Sequence, residues 1–271
     1  MTQLNYIGVF LTFACRMGCS YCINHHGEFT PRKEISYLEW MKILRCIRTR
    51  EDLPISLQGG EPTQYEGFYE LVYQLHRAGK KIDLLTNGDF DVDKFIFLTT
   101  PEMFRRDAPY ASIRFSYHYN SVGRELIPKV ERLQDKGYSV GIWGMDHPDM
   151  FDRNKNMAAM CRRYGIDWRM KEYLDETHGT YKYPEYMKGG IESCLCKSSE
   201  MLFAPDGQIH RCHRDLYAGI DPQDKFIGGF RLCVAPRCNS CDVKEKTNRL
   251  QQGGHCSVEI KPTFHKDCKE Y

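Results

Sequence analysis

The sequence predicts an α/β fold built on a parallel sheet, because strand-like and helix-like segments alternate six times between the N-terminus and about residue 175. The strand-like runs read as buried strands, and such alternation builds parallel sheets covered by helices. Beyond residue 190 this rhythm stops. Residues 191–271 are rich in Cys, Gly, Lys and Asp, with short apolar segments and little periodicity. Six units fall short of the eight of a closed barrel, so the sheet is either an open, partial barrel or doubly wound. Both place ligands outside the C-terminal ends of the strands.

The elements follow in order. "NYIGVFLTFA" is a β-rich run, and a cysteine loop comes after it. In "SYLEWMKILRCIRTR", Leu38, Met41, Leu44 and Ile47 keep helical spacing. "LPISL" is the second strand, and the helical "GFYELVYQLHRAGK" stops at Gly79. "KIDLLTNG" is strand-like, followed by a short helical segment, "DVDKFIFLTT". "ASIRFSYHY" is the fourth strand, and "VGRELIPKVERLQDKG" a helix despite Pro128. "YSVGIWGM" is the fifth strand, "PDMFDRNKNMAAMCRRYG" a helix opened by proline, and "IDWRMKEY" the sixth strand.

A chain of 271 residues holds one large domain or two unequal ones, at roughly 100–200 residues each. The change of character sets a boundary near residue 190. A formal net charge of +2 gives no electrostatic case for nucleic acid or an anionic membrane as the main partner. No apolar run approaches the ~20 residues that span a bilayer, and the N-terminus lacks a signal-peptide pattern. The expected location is cytoplasmic. Thirteen cysteines in such a chain point to metal or catalysis rather than disulfides. Three lie at 15–22 and eight between Cys194 and Cys268, leaving Cys46 and Cys161 inside apolar helical patterns, where they read as buried thiols.

"ACRMGCSYCI" carries Cys15, Cys19 and Cys22 in the spacing C-x3-C-x2-C, directly after the first strand. A structural zinc site takes four ligands, usually as two separated pairs. A [4Fe–4S] cubane normally takes four Cys, so three leave one iron free to bind something else. An open iron at the ligand-binding edge of a βα sheet is a site for chemistry.

The pattern C-x3-C-x-aromatic-C, with Tyr21 as the aromatic, resembles the signature of the radical S-adenosylmethionine (SAM) enzymes. "LQGGEP" after the second strand resembles that family's methionine-binding motif. There Gly59 and Gly60 let backbone approach the ligand closely, and Glu61 accepts from the α-ammonium, a charge-assisted bond worth roughly 1.5–3 kcal/mol. "LLTNG" and "RFSYH" also resemble family segments. The resemblance nominates Ser116 and His118 for the ribose and Ile142, in "GIWGM", for the adenine. It spans roughly residues 5–175 and implies a partial (βα)6 TIM-like barrel over residues 1–190. It also implies an activity: SAM chelates the open iron, one electron cleaves the sulfonium bond, and the resulting 5′-deoxyadenosyl radical abstracts hydrogen from a substrate. The cofactor carries this chemistry while the protein positions and shields it.

The tail contributes Cys194, Cys196, Cys212, Cys233, Cys238, Cys241, Cys256 and Cys268. "CLCKSSEMLFAPDGQIHRC" reads as C-x-C-x10-G-x4-C with Gly207 at a tight turn. It resembles the start of the SPASM and twitch domains that carry auxiliary Fe–S clusters, which implies such a domain over residues 191–271. The full SPASM pattern has two more cysteines soon after its CxxC, and "DVKEKTNRLQQGGH" has none. The shorter twitch pattern fits through Cys194, Cys212, Cys238 and Cys241. Cys196, Cys233, Cys256 and Cys268 are then the candidates for a second cluster, and a zinc site is the alternative for the tail.

The expected function is hydrogen abstraction from a small molecule or peptide, leading to oxidation or rearrangement with help from an auxiliary cluster. A peptide maturase of the same family is the alternative; the barrel begins at once, with no peptide-recognition segment before it, which favours a small molecule or a short peptide. An electron donor such as flavodoxin or ferredoxin is implied. The non-enzyme alternative is an Fe–S electron carrier or a zinc-stabilised binding module, and SAM binding separates it from the enzyme.

Overall fold

The computed structural model describes residues 4–19, 22, 33–48, 53–106, 111–118, 123–172, 194–217, 229–233 and 258–262. Tyr21, Cys238, Cys241, Cys256 and Cys268 lie outside the described residues.

β1 (Tyr6–Phe10) is buried along its whole length, and parallel strands flank it on both sides. On one side follow β2 (Ile55–Gln58), β3 (Ile82–Thr86), β4 (Ile113–Tyr117), β5 (Val140–Asp146) and β6 (Asp167–Glu172), each parallel to the one before. The connections carry α1 (Tyr37–Leu44), α2 (Phe68–Arg77), α3 (Val92–Leu98), α4 (Gly123–Asp135) and α5 (Phe151–Arg163). The order from β1 to β6 is sequential, and all five helices join one core. Trp40, Phe68, Phe95, Val130 and Met157 pack in the same cluster as Ile7, Ile55, Leu84, Phe115 and Ile142. A doubly wound sheet would reverse its order and split its helices between two faces. One-sided cover instead makes the six-unit sheet an open, partial barrel with a separate inner face.

Local signals agree with this. Ser36 and Glu39 form a reciprocal capping box at the start of α1. Gly79 follows the end of α2 with φ +70, the left-handed conformation that favours glycine at a helix stop. α4 runs through Pro128. Cys46 departs from expectation: α1 ends at Leu44, so Cys46 falls in the turn after it and is exposed, whereas Cys161 is buried in α5.

The boundary near residue 190 is not a boundary of the sheet. After β7 (Cys194–Ser198), β8 (Glu200–Phe203) runs parallel to β1, with Tyr6 opposite Glu200 and Gly8 opposite Leu202. β9 (Ile209–His210) returns antiparallel to β8. Phe203 enters the main core, edge-on to Trp40, while Leu202, Ala204 and Leu216 of α6 (His213–Tyr217) pack on Tyr6 and Phe10. Short apolar stretches without periodicity thus fold by docking on the barrel. β7 pairs antiparallel with β10 (Phe230–Cys233) and β11 (Val258–Pro262) in a second, three-stranded sheet.

Candidate active site

The chain leaves β1 at its C-terminal end through Thr12, Phe13 and Ala14 into the cysteine loop. The segment after β2 is pressed against that exit: Gly60 N–H donates to Thr12 O and Glu61 N–H to Ala14 O, both at 2.8 Å. A Cβ on Gly59 would lie 2.2 Å from Thr12 O, and one on Gly60 would lie 2.3 Å from Ala14 O. Gly59 also has φ +150, a conformation side chains resist. The two glycines therefore admit the main chain of the cysteine loop.

Glu61 is wholly buried. Its Oε1 accepts from Thr63 N (3.1 Å), Thr63 Oγ1 (2.6 Å) and Thr86 Oγ1 (2.8 Å), and its Oε2 accepts from Asn87 N (2.7 Å). Burial raises its pKa, and these donors work against that rise. The carboxylate staples the ends of β2 and β3 behind the cysteine loop. Thr63, Thr86 and Asn87 belong to no pattern that marks them from sequence; nothing in the spacing of "LLTNG" tells which of its residues turns inward.

Asn87 reaches further. Its Nδ2 donates to Cys15 Sγ at 3.3 Å, and its Oδ1 accepts from Asp89 N at 2.8 Å. Asp89 in turn holds Arg16 in a two-pronged ion pair (2.8 and 3.0 Å) and accepts from Gln64 Nε2 at 3.0 Å. Burial raises the Cys15 thiol pKa, while the bonds from Met17 and Asn87 lower it. Cys19 is buried, Cys15 and Cys22 are half-buried, and Cys22 N donates to Cys19 O at 3.1 Å in a tight turn. None of the three is in a disulfide. They share one loop at the functional edge, but among the described residues no three Cys, His, Asp or Glu side chains converge as metal ligands.

Strand parity sorts the barrel nominees. Ser116 pairs with Trp143 across β4 and β5, and Phe115 with Ile142. Paired residues share a face. Ile142 therefore lies with Phe115 in the helix-covered core, so its nomination for the adenine is corrected: it faces away from the lumen. Ser116 and Trp143 are on the inner face, and Ser116 is half-buried. His118 follows the end of β4. Burial first, then the charge of Lys171, pushes its pKa down to about 4, so its imidazole is neutral at pH 7. Deeper on the same face, Arg114 and Arg106 both pair with Asp83, Arg114 at 2.9 Å.

In the tail, the β7–β10 register sets Cys233 opposite Cys194. Cys212 follows β9, beside the point where Ser198 Oγ donates to Arg211 O at 2.7 Å. Asp215 N lies 3.5 Å from Cys212 Sγ, and burial drives this thiol pKa strongly upward. Cys196 and Cys212 both act electrostatically on the Arg211 guanidinium, which is bound to Asp215 at 2.9 Å. The fold thus pairs Cys233 with Cys194 in the second sheet and sets Cys196 and Cys212 about Arg211, without a metal-ligand set among the described residues.

An open parallel barrel with a three-cysteine loop braced at the C-terminal ends of its strands defines a barrel protein with its site on that edge. Residues 9–106 match the family model described as the Radical SAM superfamily. Solved structures share its fold. SuiB of Streptococcus suis bound to precursor peptide SuiA aligns with a TM-score of 0.59 and 15% identity, over 84% of this chain and 63% of that one. SuiB bound to S-adenosylmethionine aligns with a TM-score of 0.56 and 16% identity, over 79% and 59%. Native anSMEcpe with bound AdoMet and Kp18Cys peptide aligns with a TM-score of 0.57 and 12% identity, over 90% and 81%. The chain thus spans less than two thirds of the SuiB chain in these two alignments.

Proposed function

We propose that this protein is a radical SAM enzyme that abstracts hydrogen from a peptide or small-molecule substrate and completes an oxidation or rearrangement. The observation that carries the proposal is the cysteine loop at the C-terminal edge of β1, clamped by Gly60 and Glu61 and touched by Asn87. The donor set fits a three-thiolate [4Fe–4S] cluster: three cysteines of one loop, none in a disulfide, with an amide already donating to one sulfur. Cys15, Cys19 and Cys22 would hold it, and binding would draw the three sulfurs together, as metal coupled to local folding does.

When bound, such a cluster supplies one-electron cleavage of SAM and hydrogen abstraction. The chain's own residues do the rest. Glu61 keeps the cysteine loop in place and presents a buried negative charge at its base, the charge proposed to face the α-ammonium of SAM. Gly59 and Gly60 belong to the same wall, and Ser116 and His118 offer polar atoms at the lumen rim for the ribose. Tyr21, the aromatic of the cysteine motif, is proposed to flank SAM. The helix-covered face excludes water from the strands behind the site.

A peptide substrate is favoured because SuiB and anSMEcpe were solved with peptides bound. An auxiliary cluster is proposed for the tail, held by Cys194, Cys212, Cys238 and Cys241, with Cys196, Cys233, Cys256 and Cys268 as surplus ligands in a SPASM- or twitch-like unit. A flavodoxin or ferredoxin would supply the electron in the cytoplasm. Among the described residues no helix is long and apolar enough to cross a membrane.

The test is anaerobic reconstitution followed by dithionite and SAM. Wild type should form 5′-deoxyadenosine, and the Cys15/Cys19/Cys22→Ala variant should not. Cleavage that survives in the triple variant refutes the proposal. Wild type that binds no SAM returns the chain to an electron carrier or a zinc-stabilised binding module.

A further inference from the structure

Charges on the inner face of the barrel are mostly answered by the protein itself. Asp83 meets Arg106 and Arg114, Arg169 binds Asp167 at 3.1 Å, and Glu200 lies 3.7 Å from His213. Lys171 is different. It is half-buried near the C-terminal end of β6, paired with Met145 on β5 just as Arg169 is paired with Trp143. Trp143 is itself paired with Ser116, so Lys171 shares the inner face with the residues nominated for SAM. Among the described residues it makes no hydrogen bond or ion pair.

We propose that Lys171 anchors a carboxylate on a ligand held in the lumen, an inference that rests on reading the lumen as the SAM and substrate chamber. Withdrawing an ammonium from water costs several kcal/mol unless an anion faces it, and an unanswered cation at a functional edge marks where that anion comes from. The neighbours sharpen the requirement. Burial first, then the Arg114 charge, pushes the Lys171 amine down to about 8, and the nearby His118 imidazole is neutral, so neither neighbour supplies a counter-charge. One ammonium beside a neutral imidazole suits a monoanion better than a phosphate dianion, which calls for a cluster of cations. Two carboxylates could fill the place: that of SAM's methionine moiety, or one on the substrate, from an acidic side chain or a peptide C-terminus.

The experiment uses reconstituted full-length protein and the variants Lys171→Met and Lys171→Arg, with two probe pairs measured by anaerobic titration calorimetry. The first pair is SAM and its decarboxylated analogue. The second, on SAM-saturated protein, is N-acetylglutamate and N-acetylglutamine. If Lys171 holds SAM, Lys171→Met weakens SAM roughly tenfold to a hundredfold, leaves the decarboxylated analogue unchanged, and Lys171→Arg retains most of the affinity. If it holds substrate, SAM binding is unchanged and the preference for the acid over the amide disappears. A purely structural lysine would lower the melting temperature when replaced, whereas removing an unanswered buried charge should hold or raise it. If neither preference depends on residue 171, the proposal is overturned. Wild type that shows the Lys171-dependent acid preference yet never cleaves SAM sinks the radical SAM reading alone.

Discussion

Asn87 Nδ2 donates to Cys15 Sγ at 3.3 Å, while the Asn87 main-chain N–H is held by Glu61 Oε2 at 2.7 Å. One residue at the end of β3 therefore links the buried carboxylate behind the site to a proposed cluster ligand. A thiolate gains more from such a donor than a thiol does, and a more reduced cluster carries more negative charge on its sulfurs.

Replacing Asn87 by Asp keeps an acceptor for Asp89 N but removes the donor and adds negative charge beside the sulfur. The reduced state should be disfavoured about tenfold or more, a fall in potential of roughly 59 mV for a one-electron couple. A redox titration followed by electron paramagnetic resonance, read on the signal that SAM perturbs, checks this. An unchanged potential would show that the bond does not tune the cluster.

Gly60→Ala tests the wall behind the loop. Its new Cβ would sit 2.3 Å from Ala14 O and 2.5 Å from Phe13 O, both main-chain atoms. Backbone cannot swing aside as a flexible side chain can, so the variant should lose about 1–3 kcal/mol and take up less iron. Thermal denaturation and iron analysis report the two effects. A variant with wild-type stability and iron content would mean that the loop does not need this contact.

Much of the barrel was legible because period-two and period-3.6 apolar patterns are local. β1 to β6 and the Gly79 stop follow from neighbours within a few residues. The cysteine spacing and the glycine pair were legible for the same reason. The two short strands either side of Gly207 were legible as β8 and β9, but the pairing of β8 with β1 was not, because that partner strand is nearly two hundred residues away. Ile142 was misplaced by one step of strand parity: a motif gives position along a strand, whereas face is set by the sheet it joins. Asn87 and Thr86 act through contacts across strands, which no single segment encodes.

Glu61→Gln separates charge from shape. All four donors on this side chain point at oxygens, and an amide must turn its NH2 towards at least one of them. A buried donor facing a donor costs roughly 1–3 kcal/mol, so unfolding should occur at lower denaturant. Loss of the charge should also weaken SAM about tenfold, near 1.4 kcal/mol. SAM affinity that is unchanged despite lower stability would assign Glu61 to holding the loop and remove it from the ligand.

The tail tests whether the protein would carry one kind of cluster or two. Cys212 is half-buried, burial pushes its thiol pKa strongly upward, and it lies near Cys196 around Arg211. A thiol in that setting is costly to ionise unless a metal takes the charge. The Cys15/Cys19/Cys22→Ala protein should therefore keep iron and sulfide, about four of each for one [4Fe–4S] cluster or about eight for two. Adding Cys212→Ala should remove one cluster's worth and expose the segment around β7 to proteolysis. β8 should remain protected, because Phe203 and Leu202 are anchored in the barrel. The single Cys212→Ala variant should still cleave SAM while losing substrate turnover, which would place the tail cluster in substrate binding or second-electron transfer. Zinc without iron in the triple variant would defeat this reading and leave a radical SAM barrel with a structural zinc tail.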